Sequence, residues 1–501
     1  MDLTTVRRLS SGAAWPFLGP VVALLVGVSV GWLSLRANPL VVLVAILAPL
    51  LGLWFLRTLW AGLFGVLALS VLLPFAVLPL GAPVSPALLE LAALALVLAT
   101  VGVVLLDRRT ELMVGGEIVW QLLLVGFVVF AFLLGLGRGY TPQTLHDFVK
   151  FLLAFLSFWI VLQLIRSVDD IRVLLLILVG LTATTAAIGL ALYAAGPGVT
   201  ERVLIRLAPY GYPSSRIVRY IEDDPARAMR AVGTNVDPNS FGGLLVIGFV
   251  LAVSQVLVRH RLVPLPIAVG AASITGMATL LTYSRGAWVG AIVGTMVVVL
   301  FRRRWLITPG ILGGVAIVAL GIGAGFVERL WLGFTLQDPA TKLRLAEYRN
   351  AWEIIQLHPW FGVGFGDAPS IQLQTGVSSV YLTIAQRAGL VGLAVFLIVV
   401  GVITVRAIRS CVATPPGPTS DAAVSVLGVF VALLTVGIVD HYFFNPQFPH
   451  MATLFWTIAG LLVVLYRLEQ AVDGDTERKR GNAVSSRKRA DGTGRDALVS
   501  R

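Results

Sequence analysis

Residues 241–301 read FGGLLVIGFVLAVSQVLVRHRLVPLPIAVGAASITGMATLLTYSRGAWVGAIVGTMVVVLF. Two polar interruptions, Arg259-His260-Arg261 and Thr282-Tyr283-Ser284-Arg285, divide this stretch into three apolar runs. A membrane-crossing helix needs about 20 apolar residues, so the stretch reads as three consecutive spans at 241–259, 263–282 and 286–301. The third run has about 16 residues before Arg302, or about 24 Å of helix against a hydrocarbon core of about 30 Å. Its helix is therefore expected to start upstream, placing Arg285 slightly inside the outer interface. An arginine at that depth is costly unless it is paired, lines a wet cavity or snorkels to the headgroups.

The pattern extends in both directions. Further apolar runs lie at about 17–35, 38–56, 60–79, 87–106, 118–136, 147–165, 171–194, 306–326, 380–405, 423–440 and 451–466, giving an all-α polytopic membrane protein of about 14 transmembrane helices. The first run follows Arg7 and Arg8 as a signal sequence would, but it is long and no small-x-small cleavage site follows, so it reads as a helix. Composition agrees: of 501 residues, 57% are hydrophobic and 13% charged. A soluble domain carries about a quarter charged residues. Too little polar surface remains for a soluble enzyme, a disordered protein or a nucleic-acid-binding domain. The net charge of +12 reads instead as basic residues collected on cytoplasmic edges. Cys411 is the one cysteine. His146, His260, His358, His441 and His450 have no metal-ligand spacing, so no metal site is expected.

With the N-terminus inside, the inner connections hold Arg57, Arg108-Arg109, Arg166 to Arg172, Arg259 to Arg261, Arg302 to Arg304, and Arg406 with Arg409. That is a positive-inside pattern with both termini cytoplasmic. Three regions follow: N-terminal helices over 1–194, a helical region with two long outer loops over 195–466, and a polar basic tail over 467–501. The tail is expected to be disordered, and its Arg478-Lys479-Arg480 and Arg487-Lys488-Arg489 clusters either touch anionic membrane lipid or are simply solvated.

The long outer loops, about 195–240 and 327–379, depart from this charge pattern. The first carries Arg202, Arg206, Arg216, Arg219, Arg227 and Arg230; the second carries Arg329, Lys342, Arg344 and Arg349. Either these arginines pair with Glu201, Glu222, Asp223, Asp224 and Glu347, or some of them meet an anionic substrate on that face. Within the second loop, Leu345, Tyr348, Trp352 and Ile355 recur at helical spacing over 342–358 and end at Pro359. This amphipathic helix lies on the outer leaflet or caps a cavity.

Four stretches stand out as chemistry-bearing. Arg230-Ala-Val-Gly-Thr-Asn-Val-Asp237-Pro-Asn239-Ser240 precedes a span, and Asn239 is either an ordinary cap or part of an anion site at a helix N-terminus. Ser284-Arg285-Gly-Ala-Trp288 opens a helix. His358-Pro-Trp-Phe-Gly-Val-Gly364-Phe-Gly366-Asp367 lacks the strand that a nucleotide loop would follow, and reads as a tight re-entrant turn on the cavity wall. Ser378-Ser379-Val-Tyr381-Leu382, followed by Ala388-Gly-Leu-Val-Gly392, opens another span.

In this order, over about 225–400, these stretches resemble the O-antigen ligase and O-antigen polymerase family of bacterial envelope glycan enzymes. The resemblance implies an architecture similar to C-type integral-membrane glycosyltransferases, and transfer of an oligosaccharide from an undecaprenyl-diphosphate donor to a glycan or lipid acceptor on the outer side of the cytoplasmic membrane. It implies no nucleotide sugar, no cofactor and no obligatory metal. By motif position, Arg230, Arg285 and Arg349 correspond to the family's diphosphate-binding arginines. The family has His-Asn where this chain has Ser378-Ser379, and serine has no useful basicity near neutral pH. Ser378 and Tyr381 then mark the acceptor side, at a wet helix entrance that would also accommodate histidine and asparagine. The nearest substitutes for the missing base are Asp440, His441 and Asp367, with an interfacial Asp-His turn as the plain alternative for the first two. A rival reading is a lipid-linked oligosaccharide flippase without transferase activity. Its basic residues would be expected at mid-membrane, whereas these sit in outer loops.

The topology is directly testable. Reporter fusions at Gly198 and Asp338 should read extracytoplasmic and one at Pro416 cytoplasmic; a cytoplasmic signal from both long loops would remove the basis for an outer-face site.

Overall fold

The structure, a computed structural model, describes residues 58–79, 85–106, 116–136, 139–320, 339–366 and 377–470, with positions 328, 331, 332 and 335. The runs expected at 17–35 and 38–56, the tail beyond 470 and Asp367 lie outside the described residues. Among those described the chain is helical, with two isolated β-bridges and no longer strand.

The helices in chain order are α1 (Leu59–Leu72), α2 (Leu88–Leu106), α3 (Gly116–Leu134), α4 (Pro142–Leu164), α5 (Val168–Ala195), α6 (Pro197–Ile205), α7 (Pro238–Leu257), α8 (Leu265–Leu281), α9 (Arg285–Arg302), α10 (Ile307–Ala319), α11 (Pro339–Leu357), α12 (Val380–Ala413), α13 (Pro418–Val439) and α14 (Pro449–Gln470). Nine of them (α2–α5, α7, α9 and α12–α14) are long and apolar enough to cross a membrane, and α1 and α8 are shorter apolar helices. Each predicted run within the described residues coincides with a helix. The chain is a polytopic helical membrane protein.

Local chemistry sets the boundaries. Thr141 caps α4 by accepting the Thr144 amide, with Pro142 at the first position. Ser167 and Asp170 form a reciprocal capping box on α5. Asp237 caps α7 through the Asn239 and Ser240 amides. The expected upstream start of the Arg285 helix is corrected: α8 ends at Leu281, Tyr283 takes a left-handed φ of 50°, and α9 begins at Arg285 itself. Arg285 therefore occupies the first turn of a helix rather than its interior.

The core is centred on α7 and α13, whose residues are largely buried, together with the almost wholly buried α14. Apolar burial drives little helix association in lipid, so close backbone approach has to supply packing. α9 and α13 meet through Gly294 and Gly428: a Cβ on Gly294 would lie 2.7 Å from the Gly428 carbonyl, and one on Gly428 would lie 2.8 Å from the Gly294 carbonyl.

At one end of the bundle Asp421 is fully buried. It accepts Arg302 Nε at 2.5 Å and the His260 amide at 2.8 Å, while Arg302 Nη2 donates to Ser420 at 2.6 Å. The same end holds Arg259, Arg261, Arg303 and Arg304. The termini of α7, α9, α12 and α13 that meet the two long connections lie at the opposite end.

The segment after Pro359 docks against an interruption in α12. Val363 and Gly364 donate to the carbonyls of Gln386 and Arg387, each at 2.9 Å, and Leu390 donates to the Pro359 carbonyl at 2.7 Å. Gly389 breaks the helix with φ 73°, where a side chain would collide with Trp360 backbone. The turn expected of these glycines is present at Gly362 and Gly364, docked on α12 rather than on a cavity wall, and it replaces hydrogen bonds that the break in α12 would otherwise leave open. Arg387 lies 5.3 Å from the centre of the Phe365 ring.

Replacing Gly428 by leucine should separate α9 from α13 and lower stability by about 1–3 kcal/mol or more, since the obstructing atom is backbone. Thermal unfolding in detergent would check this; an unchanged midpoint would mean that the contact does not limit packing.

Candidate active site

The end of the bundle opposite Asp421 carries the charged residues of interest. Arg230 follows a loop whose backbone pairs with the end of α8: the Ala231 amide donates to the Leu281 carbonyl at 2.8 Å. This fixes the Arg230 guanidinium, which donates to the Thr282 carbonyl through Nε at 2.7 Å and to Asn239 Oδ1 through Nη2 at 2.6 Å. Asn239 thus orients the arginine, while Asp237 supplies the cap that was one expectation for Asn239. Arg285, half-buried, donates through Nη2 to Thr341 on α11 at 3.1 Å.

Helix α11 closes the site from above. Of the two placements open for this amphipathic segment, its polar side turns inward. Thr341 meets Arg285, Arg344 Nη2 lies 3.3 Å from Asp440 Oδ1, and the Tyr348 hydroxyl donates to the Ser378 carbonyl at 2.9 Å. Buried Glu347 accepts the Ser378 amide at 3.1 Å. Ala351, Ile354 and Ile355 continue the buried face, whereas Trp352 is 55% exposed. Arg349 is exposed on another side of α11 and stands apart from this cluster.

Asp440 ends α13 and is buried. Its carbonyl accepts the Val380 amide at 3.1 Å, tying α13 to the start of α12. Its Oδ2 atom is buried and has no hydrogen-bond partner among the described residues. That oxygen points at the first turn of α9, where a Cβ on Gly286 would lie 3.0 Å from it. Burial pushes the Asp440 carboxyl up to about 7, against the opposing pull of Arg344. Burial pushes neighbouring His441 down to about 4, so its ring is neutral at physiological pH. Its Nδ1 atom is also buried without a partner among the described residues. Tyr442 stacks on His441 and donates to Asp237 Oδ1 at 2.8 Å. Asp237 in turn raises the charge cost of Asp440.

The structure thus brings Arg230, Asn239, Arg285, Asp440 and His441 to one end of the bundle, with Ser378 at their edge. Tyr381 turns away: its hydroxyl donates to the Leu434 carbonyl at 2.9 Å and its ring packs on Phe396 inside the bundle. The expectation of a wet entrance at both serines is corrected in part. Ser378 is half-buried, but Ser379 is buried as the α12 cap, so a larger residue there meets packed protein. Arg344, Glu347, Tyr348, Asp237 and Tyr442 complete the site beyond the sequence-derived candidates. The spacing of Arg344, Glu347 and Tyr348 already places them on one helical face; what the sequence lacks is the direction of that face. Among the described residues, no group of three His, Cys, Asp or Glu side chains is arranged to hold a metal ion.

These features define an integral-membrane protein with a cationic, partly buried site capped by an amphipathic helix. Residues 270–397 match the family model for O-antigen ligase, the family that the sequence motifs resemble. The match includes Arg285, Arg344, Arg349 and Ser378, while Arg230, Asn239, Asp440 and His441 flank it in sequence and join it only in space. No curated protein matches the chain.

Removing Arg344 should leave Asp440 buried without its cation. Because the folded carboxyl titrates near 7, the Arg344→Ala penalty should be largest above that pH, up to about 3–5 kcal/mol, and should shrink as the carboxyl protonates. Melting curves at pH 5.5 and pH 8.5 test this; an equal loss at both would mean that the arginine supports packing alone.

Proposed function

We propose that this chain transfers an oligosaccharide from an undecaprenyl-diphosphate donor to a glycan or lipid acceptor on the outer side of the cytoplasmic membrane, with both termini inside. Asp440 serves as general base. The observation that carries this reading is the half-satisfied carboxylate: one oxygen faces Arg344, and the other is buried, unpartnered among the described residues and aimed at the turn that presents Arg285.

In the reaction, the acceptor hydroxyl oxygen bonds to the anomeric carbon as the bond from that carbon to the diphosphate oxygen breaks. The hydroxyl proton passes to Asp440 Oδ2. The polyprenyl diphosphate leaves with the bonding pair, and charge builds on its oxygens. Arg230 and Arg285 stabilise that charge, because guanidinium groups offer forked donors suited to phosphate and stay ionised at every working pH. Arg349, exposed on the outer side of α11, meets the outlying part of the donor. Asn239 and Thr341 act by orienting the arginines.

An ideal base titrates near the operating pH, which favours Asp440 at about 7 over His441 at about 4. His441 is assigned a positioning role as a neutral ring beside the carboxylate. Concentration of the basic site residues at one end, facing a closed helical cap, supports an enzyme over a flippase, which needs a path open to both faces.

Transfer rate measured against pH distinguishes the roles. Wild-type activity should rise as Asp440 deprotonates through about pH 7. Asp440→Asn should lose about 10²–10⁴-fold and that pH limb, while His441→Ala should lose less and keep it. Arg285→Lys should also be poor, because an ammonium cannot reproduce the forked contact. A fully active Asp440→Asn variant would exclude the carboxylate as base, and a near-normal Arg285→Lys variant would assign that arginine to the headgroup region.

A further inference from the structure

A cavity of about 420 Å³ opens at the Asp440 end of the bundle, between the α1–α2 connection, the start of α4, the loop at 208–211 and the start of α14. No residue of the site above lines it. Its polar side presents Glu90, His146, Lys150 and Gln143, and its apolar side includes Phe75, Pro74, Pro209 and Pro449. Glu90 Oε2 lies 2.7 Å from His146 Nε2, and both side chains are only about one-seventh exposed. His146 Nδ1 is buried and has no hydrogen-bond partner among the described residues. Asp147 fixes the remaining polar groups, accepting Lys150 Nζ at 2.6 Å and Gln143 Nε2 at 2.9 Å.

The polar groups here differ in kind from those of the arginine site. Carboxylates at Glu90 and Asp147 stand beside His146 and Lys150, and no arginine lines the cavity, so it lacks the forked donors that suit a phosphate. A carboxylate, an amide, an ammonium and an imidazole nevertheless offer donors and acceptors side by side, which is what vicinal hydroxyl groups require. Proline and phenylalanine faces opposite suit the C–H faces of pyranose rings. The volume falls within the range of about 300–1,000 Å³ typical of small-molecule sites.

The position ties this cavity to the reaction. Phe75, on its wall, packs edge-on against His450 and Phe448, with ring centres 5.2 and 6.0 Å apart. Phe448 in turn packs against Tyr442 at 4.6 Å and His441 at 6.1 Å. Two successive rings, Phe75 and Phe448, thus stand between the cavity and His441. The rim is held by the Val77 amide donating to the Tyr210 carbonyl at 2.9 Å, so the loop that ends in Arg230 also closes the cavity.

The geometry points to a saccharide-binding subsite in this cavity, lined by Glu90, His146, Lys150 and Gln143, that holds sugar units of the glycan being joined. It rests on the transfer reading above for its biological role, but its binding chemistry stands without it. Glu90 and Gln143 contact the sugar, and Asp147 is a positioning residue.

The test uses the full chain in lipid nanodiscs and, as probe, oligosaccharides released by mild acid from the envelope glycan of the organism that makes the protein. Saturation-transfer NMR should show saturable binding. Glu90→Gln and Gln143→Ala should each weaken it, the first by about tenfold or more, with unchanged melting temperatures. Gln143 is exposed, so its variant tests the subsite without disturbing the core. Asp440→Asn should bind as wild type does. In transfer assays the two cavity variants should raise KM for the acceptor if the cavity holds acceptor sugar, or for the donor if it holds donor sugar, leaving kcat little changed. No binding by wild type, or binding and both KM values unchanged in both cavity variants, would overturn the subsite. Binding that survives in a chain unable to transfer would count against the transfer reading alone.

Discussion

Burying a carboxylate at a membrane edge costs several kcal/mol unless a cation stands beside it, and most of the architecture at the Asp440 end of the bundle follows from that constraint. Arg344 answers it from α11, a helix that without such an anchor would have no evident reason to dock polar side inward. Once α11 is held there, Thr341 reaches Arg285, Glu347 takes the Ser378 amide and Tyr348 takes the Ser378 carbonyl. The Asp440 carbonyl, by accepting the Val380 amide, fixes the start of α12 against the end of α13. A single ion pair therefore registers the cap, two spanning helices and the arginine turn relative to one another.

A second constraint acts on backbone. Inside a bilayer an interrupted helix leaves polar groups that lipid cannot satisfy. α12 is interrupted at Gly389, and the segment after Pro359 supplies donors to Gln386 and Arg387. Gly362 and Gly364, at φ 69° and 80°, let that segment lie against α12 and against Gly135 of the loop side of α3. The glycine-rich stretch is thus a structural clasp between the cap and a spanning helix, consistent with the absence of any nucleotide-loop context.

Much of this was legible in the sequence. Apolar runs of the right length located the helices, and the positions of Arg230, Asn239, Arg285 and Asp440 at run boundaries placed them near an interface. Run length is a poor guide to the start of α9, because the turn at Tyr283 lets a shorter, complete helix begin at Arg285. Motif position singles out Arg349, but it and Arg344 both lie on the polar side of an amphipathic segment, and only docking reveals that Arg344 is the one that faces the bundle. Tyr381 lies near a helix start, as an acceptor-side residue would, yet its hydroxyl and ring both turn into the core. The cavity of Glu90 and His146 left no local signal, since its walls come from four separate parts of the chain.

The two buried aspartates make the case for chemistry at one end and structure at the other. Asp421 and Asp440 are alike in type, burial and arginine partner. Asp421 has both oxygens engaged, one by Arg302 and the other by the His260 amide, and that saturation suits a joint between helices. Asp440 has one oxygen on Arg344 and leaves the other buried without a partner among the described residues. An unsatisfied buried carboxylate oxygen is destabilising, and a purely structural pair could have been completed by one more donor, as Asp421 is. Retaining that open acceptor beside the arginine-bearing turn makes sense where a hydroxyl from outside the chain completes the hydrogen bond. Under the proposed transfer reaction, that partner is held next to the group able to accept its proton, with Arg230 and Arg285 placed to meet the charge of the leaving group.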